Sequence, residues 1–84
     1  MKISAEVKVI LKDDIKDPAG LAVENILKRT NIDAESSVRT GKFFSIKTFA
    51  QNRIEAMEKI NKICTEVLTN PNLEQYEIIR IKEE

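Results

Sequence analysis

The sequence of 84 residues contains no histidine, has a single cysteine, Cys64, and has only two glycines, Gly20 and Gly41. Without histidine the chain lacks the commonest general base and the commonest metal ligand. Two isolated glycines exclude a glycine-rich phosphate-binding loop. One cysteine cannot form an internal disulfide, so no oxidising compartment is required. We therefore expect the chain to supply no catalytic, cofactor-binding or metal-binding residue.

The chain also lacks an excess of either charge, since 14 lysines and arginines balance 14 aspartates and glutamates. A neutral chain has no general attraction to nucleic acid or to an anionic membrane. No apolar run approaches the roughly 20 residues of a membrane span, and charges interrupt the apolar residues that follow Met1, unlike in a signal peptide. We therefore predict a cytoplasmic chain that binds neither nucleic acid nor membrane.

Three features that resemble functional sites have simpler structural explanations. Asp13, Asp14 and Asp17 are carboxylates of one loop, and such groups are more often solvated charges and a helix cap than a cation site. Cys64 lies on an apolar helix face, which predicts a buried side chain rather than a nucleophile. Residues 41–49 place phenylalanines beside basic residues, but they lack the glycine or alanine that separates the aromatics in RNA-recognition strands.

The clearest strand pattern covers Lys2 to Leu11, where apolar residues occupy every odd position and the even positions are polar except Ile10. A period of two predicts one face on a core and the other facing water or a partner. The pattern then becomes helical. Asp17 as an N-cap and Pro18 at the first helical position predict a helix from Pro18 to about Arg29.

Three residues of this helix suggest contacts. Gly20, near the helix start, indicates that something packs close to its backbone. Glu24 and Lys28 are four residues apart, in the order that favours an ion pair. The apolar stripe of the helix consists of Ala19, Ala22, Val23, Ile26 and Leu27.

A second extended region covers residues 38–49, with the same apolar parity before and after Gly41. One long strand, bent or bulged at the glycine, fits this pattern, and a tight hairpin at residues 40–42 is the alternative. The pattern does not decide between them. Three phenylalanines within seven residues lie on both faces of this strand, with Phe43 and Phe49 on the odd one. This favours cover of the odd face by another subunit, and local cover by a twisted sheet is the alternative.

A second helix is predicted from about Asn52 to Thr69, because Asn70-Pro71 ends it. A final strand, Tyr76 to Ile81, changes parity within its length, which predicts a bulge or burial on both faces. The tail after Ile81 is expected to fray. The apolar stripe predicted for the second helix consists of Met57, Ile60, Cys64, Val67 and Leu68, widened by Ile54 and Ile63.

This order of elements predicts a single α+β domain over residues 1–84. Two helices cover one face of a mainly antiparallel sheet of three to four strands, forming a two-layer sandwich. The other face stays open and carries Phe43, with Ile10, Phe49, Ile79 and Ile81 as further candidates. An open apolar face on a small neutral domain indicates a partner.

Three stretches in order, DPAG at 17–20, VRTGK at 38–42 and LTNPNLEQY at 68–76, resemble the PurS family along the whole chain. PurS chains are small subunits of phosphoribosylformylglycinamidine synthase. The resemblance implies a ferredoxin-like fold and a non-catalytic subunit of an ATP-dependent amidoligase in purine biosynthesis. It also implies a homodimer or homotetramer that bridges a glutaminase (PurQ-like) and a synthetase (PurL-like) subunit and aids ammonia transfer. ATP and Mg are then used by the synthetase.

By the same resemblance, seven residues are candidates for partner contacts: Asp17, Pro18, Gly20, Arg39, Gly41, Lys42 and Phe43. Each also has a purely structural explanation, since aspartate and proline start helices and glycine permits a bend. The competing function is a stand-alone regulatory module of the ACT type, which binds a small metabolite at a dimer interface. Ligand-induced thermal stabilisation would distinguish the two.

Overall fold

The structure is a computed structural model that describes residues 1–33 and 35–84. Two helices and three antiparallel strands confirm the predicted α+β class, and a π-helical turn, Cys64–Leu68, continues the second helix. The elements in chain order are β1 (Lys2–Leu11), α1 (Pro18–Arg29), β2 (Gly41–Phe49), α2 (Arg53–Ile63) and β3 (Glu74–Glu83).

β1 is the central strand of a sheet with the order β2-β1-β3, and it pairs antiparallel with both neighbours. Its predicted alternation is confirmed, because Ile3, Ala5, Val7 and Val9 are all buried while the residues between them are not. A central strand with one buried face anchors the core. Ala5, Val7 and Val9 form the larger core cluster together with two residues of α2 and the turn after it, Ile60 and Cys64.

β3 contains the bulge that its change of parity predicts. Glu6 pairs with Arg80 and Val7 pairs with Ile78, so Ile79 has no partner on β1. Ile78 and Ile81 pack against the core, whereas Ile79 is 47% exposed. The strand is longer than predicted. Its end is not frayed, because the Glu84 amide donates to the Lys2 carbonyl oxygen at 2.9 Å.

β2 begins at Gly41, so the segment before it is not part of the sheet. The single-strand interpretation of residues 38–49 is confirmed for residues 41–49 only, because the strand does not extend back to Val38. The alternative, a hairpin at residues 40–42, was wrong. The physical reason is that residues 38–40 make their hydrogen bonds with α1 and with the loop after β1 instead of with a strand.

α2 covers one face of the sheet through Ala56, Ile60 and Cys64, spaced four residues apart and all buried. Ile54, predicted for this stripe, is 74% exposed in the first helical turn. Val67 is 75% exposed, because the wider π-helical turn rotates it away from the core. Met57 is also exposed at 41%.

α1 has the predicted bounds and the predicted cap, but only Gly20 among its residues is buried. Leu21, Val23 and Ile26 are 41%, 40% and 48% exposed. Among the residues described, no side chain of α1 belongs to either core cluster. The molecule is elongated, with Cα extents of 52 × 27 × 14 Å. The two helices therefore differ sharply in how much apolar surface they bury.

Candidate functional site

Asp17 joins the start of α1 to residues 38–40, which we name the clamp segment. Its carboxylate, only 5% exposed, accepts a hydrogen bond from the Gly20 amide at 2.9 Å and one from the Thr40 amide at 2.7 Å. The Thr40 hydroxyl donates to the same carboxylate at 2.9 Å. The backbone N–H groups of Thr40 and then Gly20 lower the pKa of Asp17 below its ordinary value, although burial opposes them.

Two further residues of α1 face the clamp segment. The Glu24 carboxylate accepts a hydrogen bond from the Val38 amide at 3.0 Å, and no ion pair of Glu24 with Lys28 forms, contrary to the prediction from their spacing. Gly20 lies against the carbonyl group of Val38, where a Cβ atom would overlap the oxygen. The close backbone approach suggested by Gly20 is confirmed.

Arg39 fastens the clamp segment to the loop between β1 and α1. Its guanidinium donates to the carbonyl oxygens of Ile15 at 3.1 Å, Leu11 at 3.2 Å and Lys12 at 3.0 Å. A guanidinium offers five donors in a planar fork, so one side chain can hold several carbonyl groups at once. Although it is exposed, Arg39 already has an internal structural task.

The seven predicted contact residues thus fall into two groups. In the first group, Asp17 and Gly20 contact the clamp segment and Arg39 belongs to it. Gly41 joins this group because it packs so tightly that a Cβ atom would overlap the Val9 carbonyl oxygen and the Ile10 side chain. Pro18, Lys42 and Phe43 are exposed. Lys42 lies 3.9 Å from the Glu74 carboxylate, and Phe43 is 60% exposed on the edge strand β2. The partner-contact roles stay predictions for all seven.

We call the sheet surface opposite α2 the outer face. It exposes three large apolar side chains, Phe43, Phe49 and Ile79. Two ion pairs lie on the same face, Lys8 with Glu77 at 3.5 Å and Arg80 with Glu6 at 4.0 Å. Ile81 was predicted as a further candidate for this face, but it packs against the core on the inner side. Exposed aromatic groups beside charges are typical of protein interfaces.

Cysteine and the acidic residues serve as nucleophiles or metal ligands in many proteins, but their positions in this fold are structural. Cys64 is fully buried, and burial raises the pKa of its thiol, which disfavours the nucleophilic thiolate. Within residues 1–33 and 35–84, no three histidine, cysteine, aspartate or glutamate side chains form a group able to hold a metal ion. None of the helices described is long and apolar enough to cross a membrane.

The sequence patterns did not predict the hydrogen bonds between α1 and the clamp segment. Glu24 was assigned to a surface ion pair, and Val38 and Thr40 were assigned to a strand. No local pattern identifies them, because the hydrogen bonds join residues that are 14 and 23 positions apart. A buried aspartate with two backbone donors becomes visible only in the folded chain.

Comparison with known proteins decides the family. The family model described as PurS, phosphoribosylformylglycinamidine (FGAM) synthase, matches residues 4–82. This chain belongs to the PurS family. The PurS subunit of Thermotoga maritima is 31% identical over 72 residues, covering 86% of this chain and 88% of the relative. That of Archaeoglobus fulgidus is 33% identical over 75 residues, covering 89% and 94%.

Solved PurS structures share the whole fold. PurS of Thermus thermophilus superposes with a TM-score of 0.86 at 37% identity, covering 100% of this chain and 99% of that one. A chain in the structure of PurLQS from Thermotoga maritima gives a TM-score of 0.84 at 27% identity, with coverage of 100% and 99%. The predicted resemblance to PurS is therefore confirmed along the full described chain.

Proposed function

We propose that this PurS chain is the non-catalytic coupling subunit of a phosphoribosylformylglycinamidine synthase in de novo purine biosynthesis. It bridges a PurQ-like glutaminase and a PurL-like ATP-dependent synthetase in the cytoplasm and aids ammonia transfer between them. ATP and Mg belong to the synthetase. The observation that carries the proposal is the full-length match to a chain of a PurLQS structure.

The chemistry of the chain supports a binding role. The most polar cluster, around Asp17 and Arg39, is occupied by hydrogen bonds to its own backbone. The nucleophile-capable Cys64 lies in the core. What the surface offers instead is apolar area, on the outer face and on α1. Apolar surface of this kind serves association rather than bond-making.

Reconstitution tests the proposal. The chain is mixed with the matching glutaminase and synthetase subunits, and amidine formation is followed with glutamine or with ammonia as the nitrogen donor. We expect glutamine-driven turnover to require the chain and ammonia-driven turnover to be independent of it. Equal glutamine-driven turnover with and without the chain would refute the coupling role.

The alternative, a stand-alone metabolite-binding module of the ACT type, has no support from the family matches. It would require thermal stabilisation by a small ligand in the absence of partner subunits. An assembly subunit responds to its protein partners only.

Self-association as a homodimer or homotetramer is part of the proposal, with the outer face as one contact between copies. Phe43 is 60% exposed there, and a carboxylate in its place would have to be desolvated in any contact through this face. We expect Phe43→Asp to lower the mass of the assembly in analytical ultracentrifugation. Val67→Asp, at an even more exposed position outside the sheet, is the matched control and should keep the wild-type mass.

A further inference from the structure

The two helices are held in the fold by different forces. α2 and the turn after it place Ala56, Ile60 and Cys64 in the core clusters, whereas none of the described residues of α1 belongs to either cluster. The one buried residue of α1 is Gly20, which has no side chain to pack. Burial of apolar surface is the dominant favourable contribution to folding. α1 therefore receives little of the hydrophobic stabilisation that holds α2 on the sheet.

α1 is also too short to be stable without support. It has 12 residues, and isolated helices shorter than about 12–15 residues are marginal in water even when they are rich in alanine. Its caps are local. The Gly20 amide donates to Asp17 at 2.9 Å at one end, and the Thr30 hydroxyl donates to the Ile26 carbonyl oxygen at 2.8 Å at the other. Contacts with the rest of the chain must supply the remaining stability.

Those contacts lead to the clamp segment. Thr40 donates its amide and its hydroxyl to the Asp17 carboxylate at 2.7 and 2.9 Å, and the Val38 amide donates to the Glu24 carboxylate at 3.0 Å. Asp17 and Glu24 are seven positions apart, which is about two helical turns, so the clamp segment runs beside the first half of the helix. We name the hydrogen bonds of these two carboxylates with the clamp segment the latch.

We propose that α1 is a latched arm, which opens as one unit while the sheet and α2 stay folded, and that the latch sets the population of the closed form. Elements with few buried apolar contacts open locally at a lower free energy than the whole domain. A few hydrogen bonds, even to charged acceptors, stabilise a helix less than burial of an entire apolar face. Any ligand or subunit that binds helical α1 would, by the same equilibrium, also favour the closed latch.

Hydrogen exchange of individual amides in the full chain, followed by NMR, measures this opening. In the wild type, the amides of Val23, Ile26 and Leu27 should exchange roughly ten-fold or more faster than those of β1, after correction for intrinsic rates, because the central strand opens only with the whole fold. Ile60→Val trims the core cluster, to which α1 does not contribute. It should speed exchange in β1 about five-fold and leave exchange in α1 unchanged.

Glu24→Ala tests the latch itself. It removes the acceptor of the Val38 amide, whereas alanine by itself raises helix propensity. Exchange in α1 should nevertheless become about ten-fold faster, because a hydrogen bond to a charged group is lost. Thr40→Val removes the hydroxyl that donates to Asp17 and should speed exchange in α1 about five-fold. Asn25→Ala, at the exposed neighbouring position, is the matched control and should not speed it.

Three results would overturn the latched arm. The first is equal exchange of α1 and β1 amides in the wild type, which would mean that α1 opens only with the whole fold. The second is an Ile60→Val variant that speeds exchange in both elements by the same factor, or a Glu24→Ala variant that behaves like Asn25→Ala. The third is exchange in α1 that slows as the protein concentration rises, since cover by a second copy would then hold the helix. The glutamine-driven assay tests the coupling function separately, and its failure would leave the latch unaffected.

Discussion

Replacing Gly20 by alanine tests the close contact between α1 and the clamp segment, because two effects on stability oppose each other there. Alanine raises helix propensity, whereas its Cβ atom overlaps the clamp segment. In an isolated helix, alanine in place of glycine stabilises by up to about 1 kcal/mol. In this fold the new Cβ atom would overlap the Val38 carbonyl oxygen and come close to the Asp17 carboxylate. We expect the cost of this overlap to exceed the gain in helix propensity, so that the variant is less stable than the wild type.

The magnitude follows from how firmly the clamp segment is held. The Val38 carbonyl cannot move away freely, because the Val38 amide is bound by Glu24 and the Thr40 amide by Asp17. Overpacking costs typically 1–3 kcal/mol, and contact with restrained backbone belongs to the upper part of that range. After the gain in helix propensity, the free energy of unfolding should fall by about 1–2 kcal/mol. That corresponds to a decrease in Tm of roughly 5–15 °C for a domain of this size.

The assay is urea unfolding followed by circular dichroism, at one fixed protein concentration because self-association adds to apparent stability. Asn25→Ala is the matched control. Asn25 is exposed on the same helix, so alanine there should stabilise by a few tenths of a kcal/mol through propensity alone. If Gly20→Ala is as stable as the wild type or more stable, the contact between α1 and the clamp segment is not as described.

Two further variants probe the core and the clamp. Ile60→Ala should lower the free energy of unfolding by about 2–5 kcal/mol, because Ile60 is 0% exposed. The control Ile54→Ala, at a position that is 74% exposed, should change it by less than about 0.5 kcal/mol. Equal losses of unfolding free energy in the two variants would contradict the assigned core. Asp17→Asn removes a carboxylate whose pKa is lowered in the folded chain. Its stabilising effect is therefore complete above the ordinary carboxyl pKa of about 3.9 and is lost as the pH falls below it. The difference in stability between wild type and Asp17→Asn should shrink on acidification, and a difference independent of pH would refute the assignment.

Much of the fold was predictable from short-range signals. The alternation in β1, the Asp17-Pro18 helix start and the parity change that marks the β3 bulge all lie within single elements. Such patterns reflect the geometry of one strand or one helix, and that geometry is set by neighbours in the sequence. The family resemblance likewise needed only stretches of contiguous residues.

The tertiary structure alone decided the rest. Whether residues 38–40 pair in a sheet or bind α1 depends on groups that lie 14 to 28 positions away in the sequence. The same long-range hydrogen bonds give Asp17 and Arg39 internal structural roles that no local pattern showed. The exposure of Ala22, Val23 and Ile26 on α1 is equally non-local. An amphipathic pattern indicates that an apolar face needs cover, but only the folded chain shows that this cover does not come from the chain's own core.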